Sequence, residues 1–232
     1  MDNQVIKFIS GSPIRKLENE KPVPIVKTLP KWYKDASKYL IENDQKWSTF
    51  KNCMPFFDAM SSGYSYITPC DIKFFMEDGI IKHEVSDPNF ASFVEARPQM
   101  PEFEVPDGYH STPFHWFSEW YPVSPDGYSI LITMPFNRYD LPFITTSGII
   151  DSDKTKIAGR IPFFLRKNFT GVIPAGTAVA QLIPIKREAW SSQYDTPSHG
   201  RSMFDFLKNL KRYREQKVNA YRDNDWIRKI YE

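Results

Sequence analysis

Short apolar runs, cut by glycine, proline and acidic turns, make up most of the chain between residues 51 and 190. Tyr64-Ser-Tyr-Ile-Thr68 alternates as a strand does, and the two runs on either side of Asp78-Gly79 predict a hairpin across 71–85. Further apolar runs predict strands at 129–133, 141–145, 161–165 and 179–185. Strands at such short spacing, joined by tight turns, favour a barrel or a sandwich over a sheet with crossover helices.

Apolar positions with helical spacing occur near both ends of the chain. The first set predicts a short helix over 31–41, directly after a proline, and consists of Trp32, Ala36, Leu40 and Ile41. The second set predicts a C-terminal helix from Arg201, with Lys and Arg on the opposite side, and consists of Met203, Phe204, Leu207, Leu210 and Tyr213. We expect this helix to continue or restart after 223–225. The apolar run at 51–60 leaves helix and strand open.

These patterns divide the chain into three regions. Residues 1–50 form an extended N-terminal arm with a short helix, because prolines interrupt any longer one. Residues 51–190 form a β-rich core, in which 127–187 is the most regular unit. Residues 191–232 hold a polar linker, 191–200, and the C-terminal helical segment.

Composition favours a mainly β fold. A chain of 232 residues is long enough to bury a large hydrophobic core without disulfides or metals. Aromatic residues make up 16% of the chain and 19 residues are proline, which favours strands and turns over a helical bundle. The net charge of +2 gives no strong signal for nucleic acid or for a membrane surface. We therefore expect a small-molecule ligand or self-association.

The cysteines and the N-terminus indicate the compartment. Cys53 and Cys70 are the only cysteines and form no C-x-x-C pair, so we expect two buried thiols in a reducing cytoplasm. The N-terminus has no basic segment followed by an apolar one, and no run of 18 apolar residues occurs. The sequence thus predicts a cytoplasmic protein without a membrane partner.

Two spaced motifs resemble those of a nucleotide-processing superfamily. Gly148-Ile-Ile-Asp-Ser-Asp153 and Ile173-Pro-Ala-Gly-Thr-Ala-Val-Ala-Gln-Leu182 resemble consecutive motifs of the dUTP pyrophosphatases and dCTP deaminases. The whole chain also resembles an uncharacterised family of phage and bacterial proteins, which implies the host cytoplasm or a virion. The resemblance implies a dUTPase-like β-clip barrel at about 127–187, a β-rich N-terminal region packed on it, and a C-terminal α-helix.

The resemblance also implies roles for particular residues. Asp151 matches the carboxylate that orients the attacking water and contacts the sugar, and Gln181 matches a residue that supports the closing strand. Asp153 shares the acidic turn, and Arg138 lies where the superfamily has its phosphate-binding Arg-Ser-Gly motif. That motif has no Ser-Gly counterpart here, and Lys154 replaces the aromatic residue after the second Asp. The resemblance therefore implies nucleotide binding without pyrophosphatase activity, with Asp151 as the candidate for any catalysis that is retained.

A purely structural role for the acidic turn is the alternative. Short acidic side chains cap tight turns by accepting hydrogen bonds from backbone N–H groups. Asp151 and Asp153 fit that role as well as a ligand-binding one. Both interpretations stay open at the level of the sequence.

His110, His115 and Glu119 are candidate metal ligands. Their His-x-x-x-x-His-x-x-x-Glu spacing resembles that of cupin-like and metal-dependent oxygenase-like proteins, and neutral imidazoles suit Fe, Zn or Ni. A divalent metal is the cofactor that these residues suggest. The alternative is a packed aromatic loop around Pro113, in which each imidazole bonds to backbone.

Three functions agree with these patterns. The first is a binding protein that holds a nucleotide or related small molecule through the acidic turn, Arg138 and the barrel strands, and it predicts a ligand-sized cavity near Asp151. The second is a structural or assembly protein of a phage particle, in which the barrel and the C-terminal helix make subunit contacts. The third is a metal-dependent enzyme, in which His110 and His115 share one coordination sphere.

Overall fold

Two compact units make up the chain. The structure, a computed structural model, describes residues 4–11, 18–98, 103–156, 159–194, 200–216 and 218–232. The first unit consists of Met1–Thr28, Ser62–Arg187 and Tyr231–Glu232, and the second of Leu29–Ser61 and Glu188–Ile230. Each unit is therefore built from segments that are distant in sequence.

Strands predominate over helices, so the fold is mainly β, as predicted. In chain order the strands are β1 (Lys7–Ser10), β2 (Val23–Pro24), β3 (Tyr39–Glu42), β4 (Gln45–Ser48), β5 (Tyr64–Ile67), β6 (Ile72–Glu77), β7 (Ile80–Val85), β8 (Val94–Ala96), β9 (Phe114–Phe117), β10 (Trp120–Val123), β11 (Tyr128–Thr133), β12 (Phe143–Thr145), β13 (Gly148–Ile150), β14 (Arg160–Leu165), β15 (Gly171–Ile173) and β16 (Ala178–Lys186).

Short helices complete the second unit. They are α1 (Lys31–Asp35), α2 (Met54–Ser61), α3 (Arg201–Gln216) and α4 (Ala220–Asn224), and they lie in the second unit together with β3 and β4. Turns of 3₁₀ helix cover Glu18–Glu20, Ile25–Thr28, Phe50–Asn52 and Pro88–Phe93. None of the helices in the described ranges is both long enough and apolar enough to span a bilayer.

The first unit is a set of antiparallel sheets. The largest sheet has the strand order β13-β11-β16-β5-β2, and the next has the order β12-β14-β9-β8. A three-stranded sheet has the order β15-β6-β7, and β1 pairs with β10. Within the described residues the expected barrel is not closed, because β13 and β2 each pair on one side only.

An aromatic cluster forms the core of the first unit. Trp116 on β9 stacks on Phe163 on β14 with ring centroids 3.7 Å apart, and Phe143 meets Phe163 edge-on at 5.9 Å. Trp116 Nε1 donates a hydrogen bond of 3.1 Å to Thr145 Oγ1, and that hydroxyl donates to the carbonyl of Val179 at 2.6 Å. Since β9 and β12 share one sheet and β16 belongs to the other, these bonds link the two larger sheets.

The hairpin predicted across Asp78-Gly79 is confirmed. β6 and β7 pair antiparallel with Glu77 opposite Ile80, so Asp78 and Gly79 form the loop. Their φ angles are +50° and +76°. A two-residue turn with positive φ at both positions matches the twist of the flanking strands, and Asp-Gly adopts it readily.

The strands predicted after residue 128 are confirmed. β11, β14 and β16 correspond to the apolar runs at 129–133, 161–165 and 179–185, while the run at 141–145 shortens to β12. β16 lies between β11 and β5, with Ile185 opposite Ser129. Its residues from Ala178 to Leu182 are buried, which explains an apolar run with little alternation.

The predicted first helix is wrong beyond Asp35. The chain instead forms β3, which pairs with β4 across Asn43-Asp44, where both residues have positive φ. Leu40 and Ile41, expected on the buried face of the helix, have 60% and 80% of their surface exposed. A helix at this position would have no buried apolar face to stabilise it, whereas Asn-Asp favours a turn.

The C-terminal helix is confirmed as α3. The predicted continuation or restart of helix after 223–225 is wrong, because the second helix, α4, starts at Ala220 and ends at Asn224, and residues 226–232 are not helical. Cys70 is buried as expected, but Cys53 is exposed, because it lies in the extended link between a 3₁₀ turn and α2. The run at 51–60 forms that turn and α2. Part of the predicted linker, 195–199, lies outside the described residues.

Candidate functional site

The acidic turn follows β13 and is held by backbone hydrogen bonds. The N–H groups of Lys154 and Thr155 both donate to the carbonyl of Asp151, at 2.9 and 2.8 Å. Asp151 and Asp153 also share a partner, because Arg187 Nη1 donates to an oxygen of each carboxylate, at 3.2 and 2.9 Å. The structure thus brings both predicted acids together around one guanidinium.

Asp153 is an internal anchor of this turn. Its side chain is only 1% exposed, and Arg187 bonds both of its carboxylate oxygens. The N–H of Gly127 adds a bond of 3.0 Å. The hydrogen bond from Arg187 has the largest effect on the pKa of the Asp153 carboxyl and holds it well below its usual range. The Gly127 N–H lowers this pKa further, while burial acts in the opposite direction. The turn-capping interpretation therefore describes Asp153.

Asp151 keeps contact with solvent. Ser129 Oγ donates a 2.7 Å hydrogen bond to Asp151 Oδ1, the oxygen that also faces Arg187. The side chain is nevertheless 58% exposed. A carboxylate held in this way has acceptor capacity left on its second oxygen. Of the two acids, Asp151 is the one that a ligand can reach.

Sequence reasoning missed Arg187. It directly follows β16, and its N–H donates to the carbonyl of Gly127 at 2.8 Å, which places its guanidinium beside the acidic turn. No local motif marks it, because its partner Asp153 lies 34 positions earlier. The contact arises because β16 pairs antiparallel with β11, with Lys186 opposite Tyr128, a register that the sequence did not predict.

Arg138 serves a different part of the first unit. It bonds Asp140 through Nε and Nη2, both at 2.9 Å, and donates to the carbonyl of Thr28 at 3.4 Å. It lines a cavity of about 310 Å³ together with Tyr139 and Arg166, in which neither acid of the turn takes part.

Gln181 is a fully buried residue of β16 whose side chain links two neighbouring segments. Its Oε1 accepts the N–H of Phe136 at 3.0 Å, and its Nε2 donates to the carbonyl of Ser62 at 2.7 Å. This geometry agrees with support of the closing strand, and it leaves Gln181 no exposed surface for a ligand.

A cavity of about 250 Å³ opens beside the acidic turn, between β13 and the start of β14. We call it the turn cavity. Its wall is more apolar than polar and is formed by Tyr66, Pro122, Ile132, Thr146, Ser147, Gly148, Ile150, Thr155, Gly159, Arg160, Ile161 and Pro162. Ile150 and Thr155 flank the turn that carries Asp151, so this turn adjoins the turn cavity, although the Asp151 side chain is not part of its lining.

Two glycines keep the turn cavity open. A Cβ built on Gly148 or on Gly159 has no other heavy atom within 4 Å. Gly148 and Ile150 share one face of β13, because side chains alternate along a strand, whereas Ile149 lies on the other face and is 63% exposed. A side chain at Gly148 would therefore lie on the face of β13 that Ile150 presents to the turn cavity.

The wall also offers hydrogen-bonding groups. In the described sheet β13 pairs with β11 alone, so alternate N–H and C=O groups on its free edge have no strand partner. Arg160 donates through Nε to His115 Nε2 at 3.1 Å and lies over the ring of Phe117. No bond from its Nη atoms is found to the described residues. Apolar walls with a few such groups suit a planar ligand with polar edges.

The candidate metal ligands occupy separate surroundings. The side chain of His115 lies beside β8, where its Nε2 is 3.1 Å from the Glu95 carboxylate. His110 is held elsewhere, since its backbone N–H donates a hydrogen bond to the backbone carbonyl of Leu165. Burial lowers the pKa of both imidazoles. The carbonyl of Glu119 accepts from Gly11. His110 precedes β9 and Glu119 follows it, so their sequence spacing does not place them together on one strand.

No metal site results from this arrangement. Across the described ranges, no group of three or more His, Cys, Asp or Glu side chains is placed to hold a metal ion. The metal-ligand prediction for His110, His115 and Glu119 is therefore not supported by the geometry.

Comparison of the chain with models of protein families, with curated proteins and with solved structures found no match.

Proposed function

We propose that this chain is a small-molecule-binding protein with a diverged, dUTPase-like β-clip at about 127–187, and that it holds a nucleotide or related small molecule in the turn cavity. The observation that carries the proposal is the turn cavity itself, bounded by Gly148, Ile150 and Gly159 and adjoining the Asp151 turn. Small ligands bind in concave, largely apolar sites with a few polar groups that orient them.

The acidic turn supports this proposal through a division of roles. Asp153 is bound by Arg187 on both oxygens and shapes the turn. Asp151 is the exposed acceptor, and a carboxylate in this position suits a ligand hydroxyl such as that of a sugar. We therefore assign ligand contact to Asp151 and scaffold roles to Asp153 and Gln181.

Loss of pyrophosphatase chemistry agrees with the surroundings of Arg138. Its guanidinium donates three hydrogen bonds of 2.9 to 3.3 Å to the Asp140 carboxylate. This neighbouring carboxylate therefore balances the charge of Arg138. A phosphate group would have to compete with Asp140 for the same nitrogens. The proposed function is therefore ligand binding without pyrophosphatase activity, with the ring-bearing part of the ligand in the turn cavity.

A thermal-shift screen against nucleosides, nucleotides and cyclic nucleotides tests the proposal. A ligand that binds only the folded state stabilises it by about 2.7 kcal/mol at a hundredfold excess over its dissociation constant. A Cβ at Gly148 meets no described atom within 4 Å, so Gly148→Val places a branched side chain at the wall of the turn cavity, and we expect it to abolish the shift. Ile149→Val, on the opposite face of the same strand, is the matched control and should keep the shift.

Two results would contradict the binding proposal. One is the absence of any shift with the whole panel at millimolar concentration. The other is a shift that Gly148→Val leaves unchanged, since the ligand would then lie elsewhere.

The assembly function remains a second candidate because α3 exposes apolar side chains. Phe204 is 66% exposed and Leu207 52%, and no residue of α3 is buried. An exposed apolar helix face is typical of subunit contacts. Sedimentation at increasing protein concentration tests this candidate: assembly through α3 predicts oligomers that Phe204→Ser removes and Lys208→Ser keeps, whereas a monomer at all concentrations rules it out.

A further inference from the structure

A pocket of about 260 Å³ in the second unit combines positive charge with aromatic walls. We call it the basic pocket. Four of its lining side chains are cationic, namely Lys34, Lys38, Lys51 and Arg222, and three are aromatic, namely Tyr33, Phe57 and Trp226. Its lining contains no Asp or Glu.

The positive charges of the basic pocket are not balanced by nearby acids. Lys51 Nζ donates to the carbonyls of Tyr33 and Lys34, at 2.6 and 3.0 Å. Arg222 Nη1 donates to the amide oxygen of Asn52 at 3.2 Å. Carbonyl and amide oxygens are neutral, so these bonds position the cations without cancelling their charge. Within the described part of the chain, no carboxylate forms an ion pair with any of the four.

The acid beside Trp226 already has partners. Asp58 on α2 accepts a hydrogen bond from Trp226 Nε1 at 3.0 Å and pairs with Lys229 Nζ at 2.6 Å. These bonds fix the indole ring in the wall of the pocket and occupy the Asp58 carboxylate. The unbalanced cations of the pocket therefore favour an anion from outside the chain.

The aromatic walls add a preference for a flat group. Tyr33 and Phe57 stack with ring centroids 6.4 Å apart and an angle of 19° between their planes. Lys51 Nζ lies 4.4 Å from the centroid of the Tyr33 ring, so cation and ring are adjacent in the wall. Rings at a wall give apolar contact and stacking to a planar ligand, while the ammonium groups attract its charge.

We propose that the basic pocket is a second ligand site, which binds a small organic phosphate that carries a planar ring, such as a nucleoside monophosphate. Lys34 and Lys38, both exposed, attract the phosphate, and Phe57 and Trp226, both partly exposed, contact the ring. The site lies in the second unit and the turn cavity in the first, so this proposal stands independently of the proposed function.

Titration calorimetry with adenosine monophosphate, adenosine and inorganic phosphate tests the proposal. We expect the monophosphate to bind more tightly than either fragment, because the phosphate and the ring each contribute. Lys34→Ala combined with Lys38→Ala should weaken the monophosphate roughly tenfold, as each removes a charge-assisted contact. Lys208→Ala, an exposed lysine on α3 outside the pocket, is the matched control.

A second variant separates this site from the turn cavity. Gly148→Val fills the turn cavity and should leave the affinity of the basic pocket unchanged. The proposal is overturned if the monophosphate fails to bind the wild-type chain, or if Lys208→Ala weakens it as much as the double variant. It is also overturned if Gly148→Val removes all binding and the double lysine variant removes none, a result that supports the turn cavity instead.

Discussion

Arg187 forms a bidentate ion pair with Asp153, in which Nη1 lies 2.9 Å from Oδ1 and Nη2 donates a hydrogen bond to Oδ2. The two residues lie 34 positions apart, one just after β16 and one in the acidic turn. Their ion pair fixes that turn to the end of the closing strand. Asp151, which shares the guanidinium, stays exposed in the turn that adjoins the turn cavity.

The ion pair makes stability depend on acid pH. Because Arg187 holds the pKa of Asp153 well below its usual range, the unfolded chain binds a proton near pH ~4 where the folded chain does not. The free energy of unfolding therefore falls as the pH drops below about 4. We expect Asp153→Asn to flatten this fall in urea titrations, while Asp126→Asn, at an exposed neighbour, keeps it. Equal slopes in wild type and Asp153→Asn contradict the assignment.

Buried histidines add a second pH dependence at higher pH. Burial lowers the pKa of His83, His110 and His115, so each imidazole binds its proton at a lower pH in the folded chain than in the unfolded chain. The unfolded chain binds protons below about pH 6.5, and the free energy of unfolding should fall as the pH drops from there. Proton NMR titration of the imidazole C2 signals checks this. Midpoints above that of a free histidine peptide would show the opposite sign.

Gly63 is required by its contact with β16. A Cβ at Gly63 lies 2.1 Å from the carbonyl oxygen of Leu182, whereas one at Gly79 meets nothing within 4 Å. Both residues have positive φ, +81° and +76°, so alanine costs about 1–2 kcal/mol at either position for conformation alone. We expect Gly63→Ala to lower the free energy of unfolding by about 3 kcal/mol or more, measured with urea. Equal losses for Gly63→Ala and Gly79→Ala would refute the contact.

Phe163 is the centre of the aromatic core. It is fully buried and stacks on Trp116 at 3.7 Å. Phe163→Ala should lower the free energy of unfolding by about 3–5 kcal/mol, because it removes buried ring surface and leaves a cavity. Ile149→Ala, at an exposed position, should change it by about 0.5 kcal/mol or less. A small loss for Phe163→Ala in chemical unfolding would show that the core repacks around the gap.

Local sequence signals predicted the parts of the fold that depend on neighbouring residues. Asp78-Gly79 gave the hairpin, because positive φ at both turn positions is a property of those residue types. The apolar runs gave β11, β14 and β16, because a buried strand must be apolar along most of its length. The acidic turn was predicted because its signal is also local: its two aspartates and its glycine lie within six consecutive residues, 148–153.

Contacts between distant residues escaped prediction. Nothing near Arg187 in sequence indicates that Asp153 is its partner, and the burial of Asp153 depends on that contact. Leu40 and Ile41 have helical spacing, yet both are exposed and none of the described elements covers them, so the spacing predicted the wrong structure. His115 likewise gains Glu95 only when β8 pairs with β9. Each of these outcomes requires the sheet register, which a single sequence leaves undetermined.

Ligand binding in the turn cavity is tested most directly by an NMR titration of ¹⁵N-labelled protein with nucleosides and nucleotides. Gly148 and Gly159 line the turn cavity, so their amide signals report on its occupancy. If a ligand occupies the turn cavity, both signals shift saturably with one common dissociation constant. Saturable shifts elsewhere that leave both glycines unchanged, or no saturable shift with any ligand at millimolar concentration, would contradict it.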